Sequence, residues 1–132
     1  MAITFSVPGD PVPQPRPRVS TAGGFARAYV PKDHAIHGYR HAVAIAAKAA
    51  GLGKADKPVS VIVDAVFARP KSHMNKSGVK PTAPRLPRPD VDNIGKAVLD
   101  ALQEVIGDDT NVSRLVVEKT YGTEGRTTVR VT

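Results

Sequence analysis

Apolar and polar residues alternate in several short segments of the chain, which is the pattern of half-buried strands. The segment ITFSVPG at residues 3–9 predicts a first strand, which Pro8 and Gly9 end. The segment PVSVIVDAVFARP gives the strongest strand pattern, with one apolar face made of Val59, Val61, Val63, Ala65 and Phe67. VSRLVVEKTYG and TTVRVT, separated by the turn TEGR, predict two more strands.

Two other segments have helical patterns. From about residue 33 to residue 50 alanine dominates, Asp33 is a candidate N-cap, and Gly51 ends the helix. A second helix begins at about Asp92, and its predicted buried face consists of Ile94, Val98, Ala101, Leu102 and Val105. No internal repeat or domain boundary is visible. We therefore expect one α+β domain over residues 1–132, with two helices packed on a mixed sheet of about four strands.

Two long segments have no periodic pattern and are rich in cations. Residues 10–32 contain five prolines between Pro11 and Pro31, together with Arg16, Arg18 and other basic residues. Residues 69–89 carry six Lys and Arg residues and no Asp or Glu. A structureless loop of this length in a small domain is usually functional or disordered.

The charge of the chain indicates a polyanionic partner. The formal net charge is +7, from 19 Lys and Arg against 12 Asp and Glu, and the acids concentrate in residues 88–109. Nucleic acid is favoured over a membrane, because no strongly amphipathic basic helix stands out. The simpler alternative is a basic protein that binds nothing specific.

Composition also excludes several kinds of chemistry. The chain has no cysteine, which removes disulfides, thiolate metal sites and a cysteine nucleophile. The segment MAITFSVPGDP lacks the features of a signal peptide, and no stretch approaches the roughly 20 apolar residues that span a bilayer. We expect a soluble cytoplasmic protein with no membrane partner.

Three histidines, His34, His37 and His41, share one face of the first predicted helix. This spacing can bind a metal, but no acid joins them on that face. Solvated or phosphate-facing histidines are the favoured interpretation.

The acidic segment RPDVDNIGKAVLDALQEVIGDD carries the candidate chemistry. Pro89 favours an extended backbone before it, and in an extended chain the carboxylates of Asp90 and Asp92 point the same way. Asp92 can also cap the helix, whose exposed side then presents Asp92, Lys96 and Asp100 at intervals of four.

The plain structural interpretation is a cap followed by a ladder of solvated ion pairs. It leaves unexplained why Asp90 stands beside Asp92, and why Asp108 and Asp109 follow Gly107. Adjacent carboxylates repel, and a hard cation such as Mg²⁺ relieves the repulsion. Such an ion can activate water at a phosphodiester, and Lys96 is placed to stabilise the developing charge. No serine or cysteine nucleophile is evident, so the residues favour a metal-dependent phosphodiesterase that uses water directly.

Distance complicates a single metal site. An unbroken helix from Asp92 to Ile106 separates its ends by about 20 Å. Asp109 then reaches Asp90 and Asp92 only if the helix breaks early or if a second chain supplies it; otherwise Asp109 belongs to a different site. We prefer a two-fold dimer with two composite sites.

The segment RPDVDNIGKAVLDALQEVIGDDTNV resembles the signature of the RusA family of Holliday-junction resolvases, D-x-D-N-x-x-K-A-x-x-D-A-L followed by paired aspartates. VPGDPVPQPRPRVS, AYVPKDHAIHGYRHAVAIAAKAAG and VVEKTYG resemble other family segments in the same order, so the likeness covers essentially the whole chain. It implies a RusA-like fold and a homodimeric, Mg²⁺-dependent endonuclease of recombination and repair, which nicks two opposing strands of a four-way junction.

By this resemblance Asp90, Asp92 and Asp109 are the metal-binding aspartates and Lys96 is the catalytic lysine. Mn²⁺ is an alternative metal, and no small-molecule cofactor is expected. Asp100 and Asp108 match acidic positions without an assigned role. Some family members have a basic residue directly before the first aspartate; here Pro89 stands there.

The basic residues are the candidate DNA contacts, and they would bind phosphates with little dependence on sequence. They are Arg16, Arg18, Lys71, Lys76, Lys80, Arg85, Arg88 and, more weakly, Lys119. Two alternatives stay open: a non-catalytic nucleic-acid-binding protein, and a metal-dependent nuclease for other branched DNA. Residue patterns do not decide between a phage and a bacterial source.

Overall fold

Strand pairing organises the chain around one mixed sheet, as seen in a computed structural model that describes residues 2–132 apart from the side chains of Ala22 and Asp109. The elements are β1 (Ile3–Pro8), β2 (Arg18–Ser20), β3 (Arg27–Tyr29), α1 (Ala35–Ala49), β4 (Val59–Ala68), β5 (Met74–Asn75), β6 (Gly78–Val79), α2 (Val91–Ile106), β7 (Val112–Gly122) and β8 (Arg126–Val131). The four-stranded sheet has the order β1-β8-β4-β7. β4 and β7 are parallel, and the other pairs are antiparallel.

The predicted α+β domain with two helices on a mixed four-stranded sheet is confirmed. On β4, Val61, Val63, Ala65 and Phe67 are buried, and Val59 is half-buried. The predicted apolar face of α2 is buried throughout and packs with Ile36, Val43 and other residues of α1. The core therefore lies between one face of the sheet and both helices.

One polar pair is built into this core. The hydroxyl groups of Tyr39, on α1, and Thr127, on β8, lie 2.6 Å apart, and Thr127 is fully buried. Burial raises the pKa of Tyr39 above its usual value, and the hydrogen bond to Thr127 offsets part of that rise. The pair fixes α1 against the sheet, because breaking it would leave a buried hydroxyl without a partner.

Both helices begin differently from the prediction. His34, and not Asp33, is the N-cap of α1, because its Nδ1 accepts a hydrogen bond from the Ile36 amide at 3.0 Å. Asp90, and not Asp92, is the N-cap of α2, so Asp92 lies inside the first helical turn. In each helix the observed N-cap lies one or two positions from the predicted N-cap, which is the usual uncertainty in assigning helix ends.

The two cation-rich segments are partly ordered. β2 and β3 pair within residues 10–32, and β5 and β6 pair within residues 69–89 after a short 3₁₀ turn at Lys71–His73. The second segment is thus not a structureless loop. In the described part of the chain, neither helix has the length and apolar character needed to cross a membrane.

Candidate active site

The N-terminus of α2 lies at the carboxyl ends of the two parallel strands. α2 connects β4 to β7, so it runs back along the sheet between them. Lys119, on β7, donates from Nζ to the carbonyl oxygen of Pro89 at 2.9 Å, directly before the helix. Ligand sites of parallel β-α-β units commonly form at this end of the strands.

Asp90 and Asp92 are both exposed at this position. Asp90 has extended backbone angles, φ −70° and ψ 142°, but its side chain makes no capping hydrogen bond. Asp92 is helical, so the expectation that an extended chain aligns the two carboxylates is wrong. An N-cap aspartate normally accepts a hydrogen bond from the first turn. Here both carboxylates remain open to another ligand.

Lys96 and Asp100 follow on the same helix, and the structure confirms that they lie away from its buried face. Lys96 is exposed and Asp100 is half-buried. Among the described residues, Asp92, Lys96 and Asp100 form no ion pairs with one another. The ladder of ion pairs therefore does not account for this stripe.

Asp109 follows the opposite end of α2. The helix is continuous over 16 residues, and the 3₁₀ turn Asp109–Asn111 comes after its C-terminus. A helix of this length spans about 24 Å, so the predicted separation of the two acidic positions within one chain is confirmed. The side chain of Asp109 lies outside the described residues. The neighbouring Asp108 accepts a hydrogen bond from the Thr110 amide at 3.1 Å and so shapes this turn.

Asp90 and Asp92 suit a hard divalent cation by their chemistry, since their open carboxylates offer oxygen ligands. Within the part of the chain whose side chains are described, no three His, Cys, Asp or Glu residues approach closely enough to hold a metal. The two aspartates alone therefore do not make a complete metal site among the described residues.

A cavity of about 380 Å³ adjoins this helix end. Its lining was not foreseen from the sequence, except for Arg88, and consists of Asp10, Phe67, Ala68, Pro70, His73, Pro84, Pro87, Arg88, Pro89 and Tyr121. Asp10 holds the end of β4, because its Oδ1 accepts from the Ala68 amide at 2.8 Å. These contacts join residues far apart in the chain, and no local pattern signals them.

Arg69 anchors the basic segment to the end of the sheet. Its guanidinium carbon lies 4.2 Å from the ring centroid of Tyr121, and its Nη1 donates to the Pro84 carbonyl at 3.0 Å. The rings of His73 and Tyr121 meet edge to face at 5.6 Å. The segment that carries Lys71 and Arg88 is therefore held beside the N-terminus of α2.

The proline-rich segment is tied to the same helix end. The backbone N–H of Gln14 donates to the backbone carbonyl of Asn93, in the first turn of α2, at 3.0 Å. Gln14 Oε1 is buried without a hydrogen-bond partner among the described residues. This contact places the chain just before Arg16 next to the acidic residues, a function of Gln14 that the sequence did not suggest.

The other candidate DNA contacts are exposed and lie on surface segments. Arg18 belongs to β2, whereas Lys76 lies in the turn between β5 and β6, and Lys80 directly follows β6. Lys119 differs, because it is half-buried and binds the Pro89 carbonyl. The candidate DNA contacts whose side chains are exposed are Arg16, Arg18, Lys71, Lys76, Lys80, Arg85 and Arg88.

The histidines do not gather into a metal site within the described residues. His34 is the cap of α1, and His37 Nε2 lies 2.9 Å from the Pro31 carbonyl. A separate polar cleft of about 260 Å³ between the helices is lined by His37, Arg40, His41 and Glu104. His37 and His41 are exposed, whereas His34 is half-buried as the cap of α1.

Fold and site together define a class of small basic α+β domains with open carboxylates at the start of a helix and cationic segments around them. Residues 8–132 match the family described as "Endodeoxyribonuclease RusA". The chain therefore belongs to the RusA family. Membership implies a Holliday-junction-resolving nuclease that hydrolyses DNA, and nucleases of this family are generally metal-dependent.

A similar protein is "Uncharacterized protein YqaN" of Bacillus subtilis (strain 168). It is 34% identical over 137 residues, covering 98% of this chain and 94% of the relative. The likeness extends over both proteins nearly end to end.

Proposed function

We propose that the protein is a homodimeric, Mg²⁺-dependent endonuclease that resolves four-way DNA junctions by symmetric nicks in two opposing strands. The observation that carries this proposal is the pair of open carboxylates at the N-terminus of α2, with the exposed Arg88 two residues before Asp90 and the exposed Lys96 one turn after Asp92. Unneutralised aspartates would repel DNA phosphates, and a bound divalent cation reverses that effect.

The metal site in this proposal is shared between two chains. Asp90 and Asp92 of one protomer would bind Mg²⁺, with Mn²⁺ as an alternative, and Asp109 of the other would complete the site. Its support is the continuous helix between these positions, which keeps them about 24 Å apart within one chain. A two-fold axis would then create two equal sites, as paired nicking requires.

A cation bound there would polarise the phosphate and lower the pKa of a water molecule. Lys96 would stabilise the negative charge that develops on the attacked phosphate. It is exposed on α2, one helical turn from Asp92, and no described acid pairs with it. Lys119 would be a positioning residue, since it holds the backbone directly before Asp90.

The exposed cations would bind the phosphates of the junction. Arg88 and Lys71 are held near the metal-binding aspartates by the Arg69–Tyr121 anchor, and Arg16 is held there by the Gln14 contact. Contacts to phosphate position DNA without reading its sequence. This suits recognition of a branched structure.

The proposal is tested with a labelled synthetic four-way junction, incubated with the protein and either Mg²⁺ or EDTA. We expect paired, symmetric nicks in Mg²⁺ and none in EDTA. Asp92→Asn should abolish cleavage and keep junction binding, because it removes a metal ligand but leaves the cations in place. Asp56→Asn is the matched control, since Asp56 is exposed and lies outside the proposed site.

Two results would contradict this account. Tight binding without cleavage under any divalent ion would favour a non-catalytic DNA-binding protein. Equal cleavage of a four-way junction and a linear duplex of the same sequence would show that the protein does not select branched DNA.

A further inference from the structure

The strand β7 has one side without a partner. It is an edge strand of 11 residues, and within the described part of the chain it pairs with β4 only. The opposite edge, β1, has six residues and ends at Pro8. Long edge strands with free backbone groups readily pair with another chain unless they are covered.

The exposed side chains of β7 are arranged in a self-complementary order. Arg114 and Glu118 are both exposed and lie on the same face of the sheet, on either side of Val116. Leu115, on the opposite face, is 39% exposed. If two copies of β7 pair antiparallel about Val116, Arg114 of each strand stands opposite Glu118 of the other.

Glu118 also lies beside a second carboxylate, so a cation near it would be stabilising. The register places Glu118 directly beside Asp64 of β4, so two exposed carboxylates are neighbours on one face. Like charges directly opposite each other destabilise a sheet. No described residue forms an ion pair with either of them. An arginine from a second strand on the free side of β7 would offset this repulsion.

We propose that β7 is the dimer interface, and that two copies join into one continuous eight-stranded sheet around a two-fold axis at Val116. Arg114 then lies opposite Glu118 of the partner subunit, and Leu115 lies opposite Val117 of the partner subunit. Opposite charges and apolar residues placed this way stabilise antiparallel pairs. The contact is isologous, as a two-fold dimer requires.

Further apolar surface lies beside the end of this edge. Met74 is 43% exposed and Val79 is 51% exposed, and both line a cleft with Tyr121 and Thr123 at the end of β7. In the antiparallel arrangement, this end lies next to the start of β7 in the second copy. The β5–β6 hairpin would therefore add apolar contact to the interface.

This interface explains how a composite site can form, a step that rests on the proposed function. α2 runs antiparallel to β7, so Asp90 lies near the end of β7 and the turn Asp109–Asn111 precedes its start. Antiparallel pairing brings the start of one strand to the end of the other. In this dimer, Asp109 of each chain therefore lies on the side of the partner subunit's Asp90 and the partner subunit's Asp92.

Disulfide formation tests the register directly, because the chain has no cysteine. In Val116→Cys the two cysteines would face each other across the axis, where directly opposite Cβ atoms lie about 4.5–5.5 Å apart, close to disulfide geometry. We expect a disulfide-linked dimer under mild oxidation. Thr4→Cys, exposed on the other edge strand, is the matched control and should stay unlinked.

Charge exchange gives an independent test by sedimentation. Arg114→Glu alone and Glu118→Arg alone each place two like-charged pairs at the axis, so dimerisation should weaken about tenfold. Mixing the two variants restores every opposite-charge pair, and heterodimers should form as tightly as the wild type.

A monomeric wild type would overturn the proposal, as would a dimer in which Val116→Cys stays unlinked or mixing fails to restore affinity. None of these measurements needs DNA or metal. A β7-linked dimer that does not cleave would therefore refute only the proposed function. A cleaving dimer joined through another surface would refute only this interface.

Discussion

At the scale of single residues, the main feature of the protein is that Asp90 is an N-cap whose side chain caps nothing. A capping hydrogen bond from Asp or Asn contributes about 1 kcal/mol, so leaving it unmade costs stability. Strained or unsatisfied features often persist where a ligand uses them. A cation shared with Asp92 would give this carboxylate its function.

Lys96 gives a test at the same scale. Lys96→Ala removes the charge proposed to stabilise the attacked phosphate, so the cleavage rate should fall about 10²–10³-fold while junction binding stays near that of the wild type. Lys96→Arg keeps the charge and should recover part of the rate. Single-turnover cleavage in Mg²⁺ measures this; a normal rate for Lys96→Ala would remove Lys96 from the chemistry.

The sequence identifies individual residues better than their contacts. The spacing of Asp90, Asp92 and Lys96 was visible as a motif, whereas the expected alignment of two carboxylates on an extended chain was wrong, because the helix begins at Val91. Lys119 was the weakest of the candidate DNA contacts. Its bond to Pro89 joins positions 30 residues apart, which no local pattern reveals.

At the scale of elements, the close approach of α2 to β7 sets the position of the site. A Cβ at Gly95 would lie 2.9 Å from Val117 Cγ2 and 3.0 Å from Leu115 Cδ2. Contacts this short force the neighbours to move. Gly95 thus allows the helix to lie against the strand, with its N-terminus above the carboxyl end of the sheet.

Two glycine substitutions separate helix propensity from this packing. Gly95→Ala should lower the free energy of unfolding by about 1–3 kcal/mol, because overpacking outweighs the gain in propensity. Gly38→Ala lies in α1 with nothing within 4 Å of its added Cβ, so it should raise stability by about 1 kcal/mol. Urea denaturation measures both. Equal effects of the two substitutions would contradict the close packing of α2.

The main elements were predictable because each has a long periodic pattern. β4, β7 and α2 alternate or repeat over 10 to 16 residues and were found from sequence alone. The hairpins β2–β3 and β5–β6 have strands of two or three residues, too short for a period to show. Their pairing depends on anchors such as Arg69 on Tyr121.

At the scale of the whole molecule, basic residues outnumber the acids that gather in and around α2. The net charge of +7 includes the acids themselves, so the remaining surface is more basic than the total indicates. Such a surface attracts DNA over a distance set by salt, about 8 Å at physiological ionic strength. In the proposed function, binding and cutting are thereby assigned to different residues.

The salt dependence of junction binding tests that division. Replacing Lys71, Arg85 and Arg88 together with glutamine should weaken binding and reduce the slope of log K against log[salt] by up to about 3, roughly one for each phosphate that the variant no longer neutralises. A matched triple variant at Lys48, Lys54 and Lys57, outside the candidate set, should keep the wild-type slope. Equal slopes for all three proteins would exclude the basic segment from the interface.

The most direct test of the account is cleavage by mixed dimers that contain one Asp92→Asn chain and one Asp109→Asn chain. Each variant alone has no intact site. If the sites are shared, one site of the mixed dimer contains both substitutions. The other site combines the unchanged Asp92 of one chain with the unchanged Asp109 of the other, and it is intact. We therefore predict Mg²⁺-dependent nicks in one strand per junction, where the wild type makes paired nicks. Mixed dimers that do not cleave, beside an active wild type, would contradict a metal site shared between chains.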